Sequence, residues 1–186
     1  MHHADSGAGT GCLSQGRRVN AFAPGLGAAP RLARVDKTRV LHPGDIALAE
    51  RGERLETLLG SCVAIVLTDP RRTLGAMCHI VHSRPATSGA VPSPAYADVA
   101  LDRMYALLRS RGIEPTLCDA YVYGGGNMFP ALFEQGHVGD DNAQWALEAL
   151  AHDGVPVLFH DLGGCTYRRL SWVVGPELPQ VTAVPV

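Results

Sequence analysis

Two side chains of this 186-residue chain are best suited to chemistry: Cys62, which closes the run Thr57-Leu58-Leu59-Gly60-Ser61-Cys62, and His79, seventeen residues later. A thiol that attacks a carbonyl needs a base to take its proton and return it to the leaving group, and imidazole titrates in the useful range. The glycine-containing turn at Gly60-Ser61 can aim successive backbone N–H groups at one point, as a developing oxyanion requires. Thr57 is the candidate third member, because a hydroxyl can hold an imidazole in one tautomer. Each residue also has a structural reading. Cys62 can be a small hydrophobe opening a core strand, His79 a hydrogen-bonded strand histidine, and Thr57 an ordinary strand residue. The residues alone leave these alternatives open.

Other groupings fit chemistry less well. Cys62, Cys78, His79 and His82 are all metal-ligand types, but adjacent Cys78 and His79 point to opposite faces of a strand, and no paired zinc spacing occurs. We therefore expect no metal site. His82, three residues after His79, also faces the other way, so only one of the two histidines can face Cys62. Gly124-Gly125-Gly126 lacks the Lys-Ser/Thr of a phosphate-binding loop and reads as a tight turn shaping one wall of a pocket.

The elements that must position these groups are legible from patterning. Ile46 to Ala49 reads as a first short strand, and Leu55 to Leu59 runs into the Gly60 turn. Val63 to Leu67 and Leu74 to Val81 are apolar, the first rich in β-branched residues, and they flank the turn chemistry of Thr68-Asp69-Pro70-Arg71-Arg72, a hairpin signal. That hairpin puts the Cys62 and His79 regions on neighbouring strands. Ser83 to Pro94, with three prolines and a glycine, reads as a surface loop bordering the site. Ala97, Ala100, Leu101, Met104, Leu107 and Leu108 recur at helical spacing, with Gly112 where a C-terminal cap belongs. Ala120 to Tyr123 is a strand; Ala143, Ala146, Leu147 and Leu150 mark a second helix with Asp140 and Asp141 at its start and Gly154 beyond it. Val155 to Phe159 and Leu170 to Val174 complete the strands. Interleaved strands and helices imply an α/β or α+β domain with helices packed on sheet.

Composition sets bounds on function. Hydrophobic residues make up 46% and charged residues 18%, ordinary for a folded domain. The basic excess lies in residues 1–38, which are rich in Gly, Ala, Pro, Ser and Arg and read as a flexible extension; residues 39–186 are read as one mildly acidic domain with no footprint for nucleic acid. The Met1-His2-His3 start reads as solvated tail. The longest apolar run, Cys62 to Leu67, is far short of the about 20 residues a membrane span needs. Five cysteines with no CxxC pair and no leader-like start point to free thiols in a reducing cytoplasm.

In order along the chain, His42-Pro43-Gly44-Asp45, Thr57 to Val63, Asp69-Pro70, Gly75 to His79, Tyr96-Ala97-Asp98, Gly124 to Phe129, Val138 to Asn142 and Asp161 to Gly164 resemble the CheD family, the chemoreceptor glutamine deamidases of bacterial chemotaxis. The resemblance runs from about Val40 to about Val174. It implies a cysteine amidohydrolase acting on a protein substrate, with the nucleophile at Cys62, the histidine at His79 and the threonine at Thr57. Backbone groups at Gly60 and Ser61 would form the oxyanion pocket, and no cofactor is required. It also implies a β-sandwich-like core with flanking helices, similar to cysteine deamidase toxins. The expected partners are the cytoplasmic region of a methyl-accepting chemoreceptor as substrate and a CheC-type phosphatase. The alternatives are a non-catalytic adaptor for that phosphatase, or a hydrolase resembling the receptor methylesterase. Two positions depart from the pattern: Cys78 and Cys165 stand where relatives often carry Asn.

Overall fold

A strand buried from end to end must be covered on both faces, and Val63–Thr68 is such a strand. Its side chains alternate between two separate cores. Val63, Ile65 and Leu67 join one that includes Ala100, Met104, Leu108, Ala146 and Leu150; Ala64 and Val66 join the other, with Leu55, Leu59, Leu170 and Trp172. The first core lies under helices, the second under another sheet.

These features come from a computed structural model that describes residues 14–18, 35, 37–83, 91–132 and 136–184. The strands are β1 (Ser14–Arg18), β2 (Thr38–Leu41), β3 (Ile46–Glu50), β4 (Arg54–Leu59), β5 (Val63–Thr68), β6 (Leu74–Ile80), β7 (Asp119–Gly124), β8 (Val157–Gly163), β9 (Tyr167–Val173) and β10 (Gln180–Val184), with helices α1 (Ala97–Arg109) and α2 (Val138–His152). One sheet has the order β1-β8-β7-β5-β6-β3 and the other β10-β9-β4-β2. β7–β8 and β2–β4 pair in parallel. α1 packs on β6 and β3, and α2 on β5, β7 and β8, so both helices cover the outer face of the larger sheet. The expected α+β sandwich with flanking helices is therefore the observed architecture.

The β5–β6 hairpin is closed by Asp69. Its Oδ1 accepts the Thr73 and Leu74 N–H groups at 2.7 and 2.8 Å, and its Oδ2 accepts the Thr73 hydroxyl at 3.0 Å. Burial alone would raise the Asp69 carboxyl, but these donors favour the carboxylate and hold it below its ordinary range. The resulting register pairs Ala64 with His79 and Val63 with Ile80.

Four expectations need amendment. Ile46–Glu50 is not the first strand, since β2 precedes it; Leu170–Val174 is not the last, since β10 follows. Within the residues read as an extension, Ser14–Arg18 pairs antiparallel with β8; the rest of 1–34, including Met1-His2-His3 and Cys12, lies outside the described residues. So does 84–90 of the loop read from Ser83 to Pro94. Gly112, by contrast, caps α1 as expected: the helix ends at Arg109, Gly112 is left-handed (φ 74°), its N–H bonds the Arg109 carbonyl at 2.9 Å and the Ile113 N–H bonds the Leu108 carbonyl at 3.0 Å. Finally, Cys62, Cys78 and Cys118 are free, but Cys165 is disulfide-bonded.

Candidate active site

β4 alternates so that Leu55, Thr57 and Leu59 are buried, and Leu55 and Leu59 belong to the core between the sheets. Thr57 thus puts a hydroxyl where aliphatic side chains stand on either side of it. On the facing sheet, His79 shares its strand face with Met77, also in that core. Cys78 points the other way, into the helix-covered core, and the opposite facing expected of Cys78 and His79 is what the strand shows.

Thr57 and His79 meet between the sheets. The Thr57 hydroxyl lies 2.9 Å from the Leu41 carbonyl oxygen and 2.8 Å from His79 Nδ1. A hydroxyl has one proton, and the carbonyl can only accept. The Thr57 proton therefore goes to Leu41, and His79 Nδ1–H donates to the Thr57 oxygen. In neutral imidazole that leaves Nε2 as a bare lone pair. Nε2 is buried without a hydrogen-bond partner among the described residues. The backbone of His79 is pinned as well, its N–H to Asp45 O at 3.0 Å and its carbonyl to Gly44 N–H at 2.9 Å.

Cys62 continues the β5 direction by one residue and packs against the inter-sheet core. It lies two residues before Ala64, the partner of His79, and so sits diagonally across the pair from the imidazole. Both line a pocket of about 460 Å³. Gly60 and Ser61 form part of the same wall, and Leu58, Met128, Phe129, Val138 and Tyr167 make the rest largely apolar. The Cys62 carbonyl accepts from Gly125 N–H and the Gly60 carbonyl from Gly126 N–H, each at 2.8 Å. The N–H groups of Ser61 and Cys62 make no hydrogen bond among the described residues. Gly124 must be glycine: its φ is 111°, and a Cβ there would fall 2.2 Å from the Cys62 carbonyl oxygen. The glycine run does shape the pocket wall.

Burial sets the protonation of the pair. It pushes the Cys62 thiol above its ordinary value. It also lowers His79, against opposition from the Leu41 carbonyl and Asp45 and with help from His42. The resting state at neutral pH is a thiol beside a neutral imidazole. Cys78, fully buried, is pushed up to about 12. His82 packs at a tilt against Tyr96, with ring centroids 5.3 Å apart, and lines a separate pocket. Among the described residues no cluster of His, Cys, Asp or Glu has the arrangement of a metal site.

One residue of this region carried no role in the sequence reading. Asn142, 1% exposed, donates to the Ser61 and Val81 carbonyls at 3.1 and 2.9 Å and accepts the Ser83 N–H at 2.8 Å. The signal was available: 142, 146 and 150 form one buried stripe on α2, and a polar residue in that stripe needs partners.

A thiol, an imidazole whose Nε2 is open and two backbone N–H groups that are unengaged among the described residues, all on residues lining one pocket, form the set that acyl-transfer chemistry requires. A family described as CheD chemotactic sensory transduction matches residues 82–175. This chain is 36% identical to a probable chemoreceptor glutamine deamidase of Albidiferax ferrireducens over 140 residues, covering 72% of this chain and 80% of the relative. The chain belongs to the CheD family. Similar proteins of the same description occur in Anaeromyxobacter dehalogenans, 34% identical over 72% of this chain and 77% of the relative, and in Methanococcus maripaludis, 32% identical over 69% and 83%. The family match takes in the glycine run and Asn142, while Thr57, Cys62 and His79 lie before it. Among the described residues no helix is long and apolar enough to cross a membrane.

Proposed function

We propose that this CheD-family protein is a protein-glutamine deamidase that converts glutamine side chains of methyl-accepting chemoreceptors to glutamate. Cys62 is the nucleophile, His79 the base and then the acid, and Thr57 the group that orients the imidazole. One observation carries the reading: the Thr57 hydroxyl sits 2.8 Å from His79 Nδ1, Nε2 has no hydrogen-bond partner among the described residues, and His79 and Cys62 line one pocket.

His79 Nε2 takes the thiol proton as sulfur bonds to the carboxamide carbon. The carbonyl electron pair moves to oxygen, where the Ser61 and Cys62 N–H groups meet it; losing one such donor typically costs about a hundredfold or more. Imidazolium returns the proton to nitrogen, the C–N bond breaks, and ammonia departs from a thioester. Water, its proton drawn to Nε2, then attacks the thioester, and the C–S bond breaks to release glutamate and the thiol. The product carries a new negative charge, able to shift a receptor's signalling equilibrium through surface electrostatics. The proposed setting is the cytoplasm, where the receptor's signalling region lies. The Cys165 disulfide runs against a chain made only of free thiols, so the compartment rests on the substrate rather than on cysteine usage.

The direct test is mass spectrometry of a chemoreceptor cytoplasmic fragment incubated with the protein. Each converted glutamine adds about one mass unit, the exchange of NH2 for OH by this chemistry; an unchanged fragment with every receptor of the source organism overturns the reading. Thr57→Val tests the orienting role. It leaves the imidazole N–H and the Leu41 carbonyl without their shared partner and is expected to lower kcat about 10- to 100-fold, whereas Thr57→Ser stays within about threefold. Equal rates in the two variants would remove Thr57 from the mechanism. Binding to a CheC-type phosphatase is a separate proposal, drawn from family resemblance. A pull-down should capture the phosphatase equally with wild type and Cys62→Ala, and no capture with either sinks it.

A further inference from the structure

The β5–β6 ladder ends at the Val63–Ile80 pair. The next rung would join the residue of the Cys62 turn to Val81, and there the strands are joined by a side chain instead. Asn142, one turn into α2, gives both N–H groups of its amide to the carbonyls of Ser61 and Val81 and receives the Ser83 N–H on its oxygen. Two carbonyls on the nitrogen side and one N–H on the oxygen side allow a single orientation of the amide. α2 reaches this depth because Gly139 lies against the glycine run: a Cβ there would fall 2.5 and 2.6 Å from the Gly125 and Gly126 carbonyl oxygens.

The bond to Ser61 bears directly on the oxyanion site. The Ser61 carbonyl and the Cys62 N–H belong to one planar trans peptide and point in opposite directions. A donor anchored on the carbonyl fixes where the N–H points, away from Asn142, and polarises it. The following peptide is fixed too, through Cys62 O and Gly125 N–H. Both peptides flanking the Cys62 Cα are thus held, and the strand beyond His79 is tied to the same amide.

We propose that Asn142 is a positioning residue for the deamidation, aiming the Cys62 N–H at the developing oxyanion. This rests on the reading of Cys62 as nucleophile. Asn142→Asp separates the role from mere packing, because a carboxylate of the same shape keeps an acceptor for Ser83 N–H and loses both donors.

The test compares two reactions of the same thiol in each variant. Deamidation of a chemoreceptor cytoplasmic fragment forms an oxyanion; alkylation of Cys62 by iodoacetamide does not. Asn142→Asp and Asn142→Ala should lower kcat for deamidation about 10- to 100-fold with KM within about threefold, a misaimed donor costing less than a lost one. Their alkylation rate at Cys62, and its pH profile, should match wild type. Deamidation and alkylation falling together, or kcat unchanged, overturns the proposal. Asn142→Ser serves if the first two variants do not fold, and failure of all three to fold overturns it by assigning Asn142 to stability alone. Cys62→Ala distinguishes the two levels. If that variant still deamidates, the catalytic reading fails; if it is inactive while Asn142→Asp keeps full kcat, only the positioning role fails.

Discussion

Cys62→Ala is expected to bring glutamine conversion down by about 10⁴-fold or more, to the background of the receptor fragment alone, since removing a nucleophile leaves only binding and the oxyanion donors. The substitution deletes one sulfur at the edge of the inter-sheet core and leaves the Ser61 and Cys62 backbone in place, so receptor binding and the thermal melt should change little. Cys118→Ala provides the contrast. That thiol is fully buried on the helix-covered side and donates weakly to the Glu114 carbonyl at 3.8 Å. Burial, with the charges of Asp69, Asp119 and Glu114, pushes it up to about 11, which leaves no thiolate for chemistry near neutrality. Its loss should lower stability and leave activity intact. Equal conversion by wild type and Cys62→Ala would end the nucleophile assignment.

Removing His79 should be the next most costly change, because the Cys62 thiol then has no base. Burial raises that thiol above its ordinary 9.0, so it stays protonated at pH 7. His79→Ala is expected to reduce kcat/KM about 10³- to 10⁴-fold at neutral pH, near the upper range for a general base. The pH profile makes the assignment specific. In wild type the active form is neutral imidazole, and protonation abolishes it; because burial lowers His79 from 6.5, kcat/KM should rise with pH through a limb below 6.5 and be flat through neutrality. In His79→Ala that limb should vanish, and the residual rate should climb with pH towards ionisation of the thiol above 9. A wild-type limb above 6.5, or one retained by the variant, contradicts a His79 base.

How far the sequence went differs among the elements. The β5–β6 hairpin was legible because two apolar runs flank Asp69-Pro70, and that turn uses the carboxylate as a local cap. The helices were legible because their apolar positions recur at 3.6-residue spacing over thirteen and fifteen residues. β2 and β10 were not. They are short edge strands with mixed burial, and what makes them strands is a neighbour to pair with: Thr38–Leu41 lies along β4 and Gln180–Val184 along β9. Edge pairing of this kind leaves little trace in a hydropathy pattern. β1 escaped for the same reason, since it depends on contact with the distant β8.

The sequence by itself determined the reactive residue types, the hairpin that brings the Cys62 and His79 regions together, and the α+β class, because these follow from turn chemistry and periodicity over short stretches of chain. Tertiary structure alone decided which nitrogen of His79 is free. Thr57 and Leu41 stand on the smaller sheet and His79 on the larger, and only packing one sheet on the other routes the hydroxyl proton to Leu41 and the imidazole proton to Thr57. The Asn142 clamp was decided in the same way, by a helix lying close enough to a glycine run for one amide to reach two strands. Hydrogen-bond direction is a property of three groups in space, and linear spacing does not encode it.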